Sequence, residues 1–377
     1  MIENCELIFH SIMIYLSNLK KTVLAVELTR LGDTISAIPA INALKEADCE
    51  LKIVVLTQPQ HRDIFAYNPN VERVMVFPKT DTIFGLLKTI YNIRKEKFGL
   101  AISLSPAKRN AVITYFSKAK YKVGYFALHS IFPAIDEAKV RAFGFRLKKK
   151  IPYRKDENLV ERALKPIKAL GVDTNHLKKE IDIPESEINY IRDYIVRISK
   201  NPKIISMQPC SSWKYRDWPK ENFIKLINAL QGYAIFLLGA KKDEGAINEI
   251  IIKTGKKAHP FINMPLIKVA ALIKESNLFI GPDSGLMHIA DAVGSPLITL
   301  FGPSKPEVTG PLSKKATIIS KEAACAPCWQ RGICVKSPNC MELITAEEVL
   351  KKIQEMPGSY PIKKDNLNTG EEHGHIW

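Results

Sequence analysis

Ile280-Gly281-Pro282-Asp283-Ser284-Gly285-Leu286-Met287-His288-Ile289-Ala290-Asp291-Ala292-Val293-Gly294-Ser295-Pro296-Leu297-Ile298-Thr299-Leu300-Phe301-Gly302-Pro303 is the stretch on which the reading of this chain turns. Leu278 to Ile280 is a short apolar run that Gly281-Pro282 stops. Asp283 or Ser284 can cap a helix whose apolar positions Met287, Ile289, Ala290 and Val293 face a core, and Gly294 ends it. Leu297 to Phe301 is apolar throughout and closes on Gly302-Pro303, as a central parallel strand does. A helix that opens directly after a strand presents unpaired N–H groups and the positive end of its dipole, which suits phosphate. An ordinary strand-to-helix crossover with a good cap reads the same way, and these residues alone leave both readings open.

Working outward, the chain has 377 residues, too many for one ordinary core, and two α/β domains are the natural expectation. Hydrophobic content of 46% beside 25% charged residues is globular. Lys and Arg number 55 against 39 Asp and Glu, a formal charge of +16 that points to an anionic partner such as nucleic acid, acidic headgroups or phosphorylated sugars. No apolar run reaches the ~18 residues of a spanning helix. Residues 1–20 hold a short hydrophobic piece, Leu7 to Leu16, broken by His10 and Ser11, and read as an extension ahead of the first strand rather than a secretory signal. Seven cysteines in so long a chain do not form a secreted disulfide scaffold, so a cytoplasmic setting is expected.

Strands are expected at Thr22–Leu28, Leu51–Thr57, Val71–Phe77, Leu100–Leu104 and Tyr121–Tyr125, with helices at about Ile35–Ala47, Asp81–Lys97 and Asn110–Ser117 between them. A basic run from Lys139 to Lys155 and a helix at about Asn158–Leu170 follow. Past Pro184 the plan repeats: a helix at Glu185–Ser199, strands at Lys203–Met207 and Ala234–Leu238, helices at Lys220–Leu230, Asp243–Thr254 and Leu266–Glu275, the opening stretch, and a closing helix at Thr345–Gln354. The expected architecture is α/β, two doubly wound Rossmann-like domains at 21–184 and 185–356 facing across a cleft, with a polar tail at 357–377 expected to be disordered.

There is no Gly-x-Gly-x-x-Gly loop, no Gly-x4-Gly-Lys-Ser/Thr loop and no pair of aspartates two apart to clamp a divalent cation on a nucleotide. A bound diphosphate must then be held by cationic side chains and helix ends. Asp33, in Arg30-Leu31-Gly32-Asp33, stands where the first strand meets its helix; there it serves as a general base in the cleft or simply caps the helix. Ser211-Ser212-Trp213-Lys214-Tyr215-Arg216 follows the first strand of the second half, and its hydroxyls and cations either hold phosphate oxygens or form a solvated loop over packed tryptophans. Glu244 either accepts from a ribose diol or balances a helix dipole, and His288, one turn after Ser284, is more often packed than catalytic. Lys108 and Arg109, at the end of a strand, are placed to meet a substrate anion. Cys325, Cys328, Cys334 and Cys340 lie within sixteen residues. They form either a thiolate set for a structural metal or free thiols or a disulfide, and the spacing is not that of paired Cys-x2-Cys knuckles.

Taken together, Arg30-Leu31-Gly32-Asp33-x5-Pro39-Ala40, Ser212-Trp213-x4-Trp218-Pro219, Gly281-x-Asp283-Ser284-Gly285-x2-His288 and Phe301-Gly302-Pro303-Ser304 resemble the ADP-heptose:lipopolysaccharide heptosyltransferases, the family-nine inverting glycosyltransferases. The resemblance runs from about residue 22 to 354, and the late Cys-x-Pro-Cys pattern is similar to many members. It implies a GT-B fold in which the first half takes the acceptor and the second the nucleotide sugar. Asp33 matches the family's base, and Arg30, Gly32, Lys108 and Arg109 fall on the acceptor side. Arg216, with Ser211, Ser212 and Lys214, falls where members meet the donor phosphates. Asp283, Ser284, Gly285, Leu286 and His288 match the diphosphate turn, Glu244 the ribose contact and Met264 the adenine contact. Pro282-Asp283-Ser284-Gly285 stands where many members have Asn-Asp-Thr-Gly, a change that keeps the hydroxyl. No cofactor is then required beyond the ADP-heptose substrate. The implied partners are lipopolysaccharide core or a lipid A precursor and the inner-membrane surface, with the enzyme a peripheral monomer on the cytoplasmic side. Two other classes stay in view: a nucleotide-sugar 2-epimerase, which needs no acceptor, and a basic nucleic-acid binder, for which the chain carries no known module.

Overall fold

A computed structural model of the chain describes residues 21–78, 82–125, 156–175, 178–199, 203–321, 323, 325–328, 334 and 338–356. The chain divides into two compact units, one of residues up to Pro184 with Glu307–Thr309, the other of Glu185–Pro306 and the chain from Gly310 onward. Residues 1–20, the basic run 139–155 and the tail 357–377 lie outside the described residues.

The N-terminal unit is built on five parallel strands, β1 (Thr22–Glu27), β2 (Lys52–Thr57), β3 (Arg73–Val76), β4 (Leu100–Ser103) and β5 (Tyr121–Gly124), in the order β3-β2-β1-β4-β5. Central strands of a parallel sheet are covered on both faces, which explains the unbroken Val23-Leu24-Ala25-Val26 of β1, buried at every position. Its helices are α1 (Leu31–Ser36), α2 (Ile38–Ala47), α3 (Arg62–Ala66), α4 (Ile83–Glu96), α5 (Lys108–Phe116) and α6 (Leu159–Lys168). Ile90 and Ile93 of α4 and Ile113 of α5 join Leu24, Val26, Val54 and Leu56 in one apolar cluster, while α1 and α2 pack against α6. Each such fully buried aliphatic side chain contributes roughly 1.5–3 kcal/mol against exposure. The helix expected over Ile35–Ala47 is two helices that part at Ala37. Pro39 is the cause: it has no N–H to give to a carbonyl one turn back, so the first helix stops and the second starts with proline in its opening turn.

The second unit carries six parallel strands, β6 (Ile204–Met207), β7 (Ala234–Gly239), β8 (Ala258–Ile262), β9 (Leu278–Pro282), β10 (Leu297–Phe301) and β11 (Ala316–Ser320), in the order β11-β10-β9-β6-β7-β8. Helices α7 (Glu185–Ile198), α8 (Lys220–Ala229), α9 (Glu244–Lys253), α10 (Leu266–Glu275), α11 (Gly285–Ala292) and α12 (Ala346–Glu355) accompany them. Its core gathers Ile205, Met207, Trp218, Phe223, Leu237, Ile280, Leu300 and Leu350. The reading of the sequence has no strand at 258–262 or 316–320, and both turn out to be the edges of this sheet. An edge strand is buried less completely and tolerates proline, here Pro260, so its residues lack the continuous apolar signal of a central strand. Ser284 caps α11, its hydroxyl accepting from the Met287 N–H at 3.4 Å, and Gly294, with φ of +72°, turns the chain just past the helix.

Candidate active site

In the N-terminal unit the strand order reverses between β1 and β4, and the polar groups there hang from the ends of those two strands. Glu27 ends β1 and is fully buried. Its Oε1 accepts from the Thr29 N–H at 2.8 Å and from the Thr29 hydroxyl, whereas Oε2 is buried without a hydrogen-bond partner. Burial first, then the nearby Asp33 charge, pushes the Glu27 carboxyl up to about 7. Arg30 stands at the N-cap of α1 with extended backbone, and no side chain caps this helix end. Asp33 lies inside the first turn, where free N–H groups and the helix dipole favour an anion, so the capping role open to it in the sequence is not the one it takes. Burial raises the Asp33 carboxyl above its ordinary range, and Arg162 and Arg30 pull it back, helped by a hydrogen bond from Thr29. One threonine therefore serves two carboxyl groups.

The loop between β1 and α1 is held from both sides. Buried Asn110 of α5 donates through Nδ2 to the Val26 carbonyl at 3.2 Å and to Ser105 Oγ at 2.7 Å, and its Oδ1 accepts the Leu28 N–H at 3.2 Å. Gln58 Nε2 donates to the carbonyls of Leu28 and Thr29 at 2.7 and 2.9 Å. Thr34 Oγ1 lies 3.0 Å from Nδ1 of His61, whose ring burial lowers to about 4 and so keeps neutral. Gly32 is buried within α1. Lys108 and Arg109 sit in the first turn of α5 rather than at the end of a strand, because that helix starts two residues earlier than the sequence pattern indicates. The Arg109 guanidinium rests 5.0 Å from the centre of the Phe77 ring.

In the second unit the order reverses between β6 and β9, and the loops after these strands meet. Arg216, on a single 3-10 turn after β6, donates through Nη1 to the Asp283 carbonyl at 3.1 Å and pairs through Nη2 with Asp283 Oδ2 at 3.3 Å. Side-chain exposures of 13% and 3% make this a nearly buried ion pair, and Asp283 also accepts from the Ser304 hydroxyl. The Ser284 hydroxyl donates to Gln208 Oε1, and Gln208 Nε2 holds the Cys210 carbonyl at 2.8 Å. Ser211 folds its own loop: Oγ donates to the Trp213 carbonyl at 2.8 Å, and its N–H donates to Asp217 Oδ1 at 2.6 Å. Ser212 is exposed beside it, and exposed Lys214 lies 5.1 Å over the Tyr215 ring. Gly285 and Leu286 open α11 with the N–H groups of its first turn, and His288 is buried one turn in.

Ser211, Ser212, Arg216, Asp283 and Ser284 are thus gathered at one strand edge, with Lys214 on the rim. Glu244 and Met264 belong to the loops after β7 and β8, farther along that edge; Glu244 opens α9 and is paired with Lys241 at 2.6 Å. Cys328 approaches the turn after β10, its N–H donating to the Pro303 carbonyl at 3.1 Å, and a Cβ placed on Gly302 would stand 2.6 Å from Cys340 Sγ. Burial, then the Cys328, Cys325 and Cys334 thiols, push Cys340 up to about 11. Among the described residues no group of three or more His, Cys, Asp or Glu is disposed to hold a metal ion. Glu27, Thr29, Arg162 and Gln208 carry no motif in the sequence, and Ser304 stands there only as the last residue of Phe301-Gly302-Pro303-Ser304. Glu27 did leave a signal, as the one charged residue inside an apolar strand.

Two doubly wound parallel sheets, each presenting polar groups at its point of reversed strand order, follow the GT-B plan. The profile of glycosyltransferase family 9 (heptosyltransferase) matches residues 86–337, more than half of the chain. The chain belongs to that family. Lipooligosaccharide heptosyltransferase 2 of Haemophilus influenzae is 28% identical over 311 residues, spanning 76% of this chain and 85% of the relative. A family-9 glycosyltransferase from Veillonella parvula superposes with a TM-score of 0.73 at 22% identity, covering 88% of this chain and 95% of that one. The ADP-heptose lipopolysaccharide heptosyltransferase II of Escherichia coli superposes with 0.70 at 21% identity, covering 89% and 98%. Among the described residues no helix is long and apolar enough to cross a membrane.

Proposed function

We propose that this glycosyltransferase moves a heptose from ADP-heptose to a sugar hydroxyl of the lipopolysaccharide inner core, with inversion at the anomeric carbon. The observation that carries the reading is the placement of opposite chemistry on the two sheets. An acid stands at the reversal point of the first, and a cationic helix-end pocket at that of the second. Asp33 accepts the proton of the acceptor hydroxyl as its oxygen attacks the anomeric carbon, and the bond to the diphosphate oxygen breaks with its electron pair leaving on ADP. Arg216, the hydroxyls at Ser211 and Ser212, Lys214 and the α11 N-terminus at Ser284–Leu286 stabilise that leaving charge, so the chain's own groups can do the work of a divalent cation. Glu244 is assigned to the ribose and Met264 to the adenine; His288 supports the turn from beneath.

Arg30, Lys108 and Arg109 are assigned to the acidic groups of the acceptor. The relatives' substrate names and the +16 charge support an acceptor that is itself anionic and held at the cytoplasmic face of the inner membrane. On this reading residues 21–184 are the acceptor domain and 185–356 the donor domain. The thiols of Cys325, Cys328, Cys334 and Cys340 suit a soft cation as a structural tie behind the Gly302–Pro303 turn. Stoichiometric zinc or iron in purified protein supports that tie, and four freely titratable thiols refute it. Asp33→Ala is expected to fold, to bind ADP with wild-type affinity, and to transfer heptose at least ~100-fold more slowly, as loss of a general base entails. Mass spectrometry of core oligosaccharide after incubation with ADP-heptose reads the result, and near wild-type turnover removes Asp33 from the mechanism. Isomerised sugar from donor alone would indicate an epimerase instead.

A further inference from the structure

Helix α4 buries Gly85, Thr89, Ile90 and Ile93 against the first sheet. Its other side is not the polar face such a helix ordinarily turns to water. Ile83, Phe84, Leu87 and Tyr91 are 68, 79, 56 and 59% exposed and form one continuous stripe, because residues three and four apart neighbour each other on a helix. The other exposed residues of that side are Lys88, Asn92 and Lys95, and Lys95 Nζ lies 4.3 Å over the Tyr91 ring. The one acidic residue of α4, Glu96, pairs with Arg73 at 2.9 Å. The outer face is therefore large, apolar and purely cationic.

Four bulky apolar side chains in one stripe exceed the scattered exposure that a surface normally shows. A protein groove that received them would leave the lysines to find acids one by one. A sheet of anionic headgroups over acyl chains meets both demands at once: the rings and aliphatic groups sink to the headgroup boundary while the lysines stay at the charged layer. The position of α4 agrees with this. All strands of the sheet are parallel, so α4, which follows β3, starts at the strand C-terminal edge, the edge at which Asp33 follows β1. Ile83, Phe84 and Leu87 occupy the first two turns, closest to that edge.

We propose that the outer face of α4 is the bilayer-docking surface of this enzyme, seating Ile83, Phe84, Leu87 and Tyr91 in a membrane rich in anionic lipid. The inference rests on the reading that the acceptor is lipid-anchored, and it names the surface that brings the base to it. The test uses the full chain, sedimented with vesicles of phosphatidylethanolamine and phosphatidylglycerol or of phosphatidylcholine alone. The wild type is expected to partition to the anionic vesicles. Phe84→Ser with Leu87→Ser lowers that partitioning about tenfold or more, given roughly 1 kcal/mol or more for each apolar side chain withdrawn. Lys88→Glu with Lys95→Glu abolishes the preference for anionic over zwitterionic vesicles. Both double variants retain wild-type transfer to a delipidated core oligosaccharide. Vesicle binding that is absent in the wild type, or unchanged in the serine variant, overturns the proposal, as does light scattering that shows a dimer dissociated by these substitutions. Failure of heptose transfer with intact vesicle binding condemns the reaction assigned above and leaves the docking surface standing.

Discussion

A carboxyl group at the buried end of a strand must either find donors or keep its proton. Glu27 does some of each: Thr29 serves one oxygen, the other has no partner, and the group holds its proton up to about 7. A protonated Glu27 can donate to Thr29 Oγ1 and free that hydroxyl to point its own proton at Asp33; an ionised Glu27 competes for it. The consequence for stability has a definite sign. Folding raises Glu27 from 4.5 to about 7, so its favourable contribution is complete below pH 4.5 and lost as pH rises through 7. Glu27→Gln carries no such loss. Its stability relative to wild type is expected to rise by about 2–3 kcal/mol between pH 5 and pH 8. Urea denaturation across that range checks it, and parallel curves for the two proteins would contradict it. At this scale the sequence singles out Asp33 and Ser284 because they stand in motifs, and Arg216 as a cation within the Ser212–Pro219 stretch. It was nearly silent on Thr29, Gln208 and Arg162, whose importance comes from neighbours brought in by folding: Gln208 meets Ser284 across 76 positions.

Most elements are legible as apolar runs, the edge strands β3 and β5 of the first sheet included. β1, β2, β4, β6, β7, β9 and β10 announce themselves as apolar runs because both faces are covered. The strands that were missed, β8 and β11, are edges, and the split of the first helix needed the backbone consequence of Pro39 to be followed through. The turn after β10 shows how tightly one element is bound to another. A Cβ on Gly302 would meet Cys340 Sγ at 2.6 Å and Met341 Sδ at 2.8 Å, closer than packed atoms allow. Gly302→Ala is expected to cost about 1–3 kcal/mol by overpacking. It should also weaken ADP binding, because Ser304 two residues on supports Asp283. Thermal melts with and without ADP measure both effects, and Cys340→Ala in the same chain should recover part of the loss by removing the nearer sulfur.

At the level of the whole molecule, length and composition point to the two α/β units, and they do not locate the apolar face of α4 in space. Exposure of Phe84 cannot be read from a helix pattern in which apolar residues occupy both sides, since the sequence does not say which side meets the sheet. The two sheets close over separate apolar clusters, and among the described residues no strand of one pairs with a strand of the other. A genetic crossover between Pro184 and Glu185 would cut no ladder among the described residues. If the halves divide donor and acceptor as proposed, descendants could inherit the nucleotide grip of one parent with the sugar preference of another, so surface glycans could diversify by exchange of halves as well as by point change.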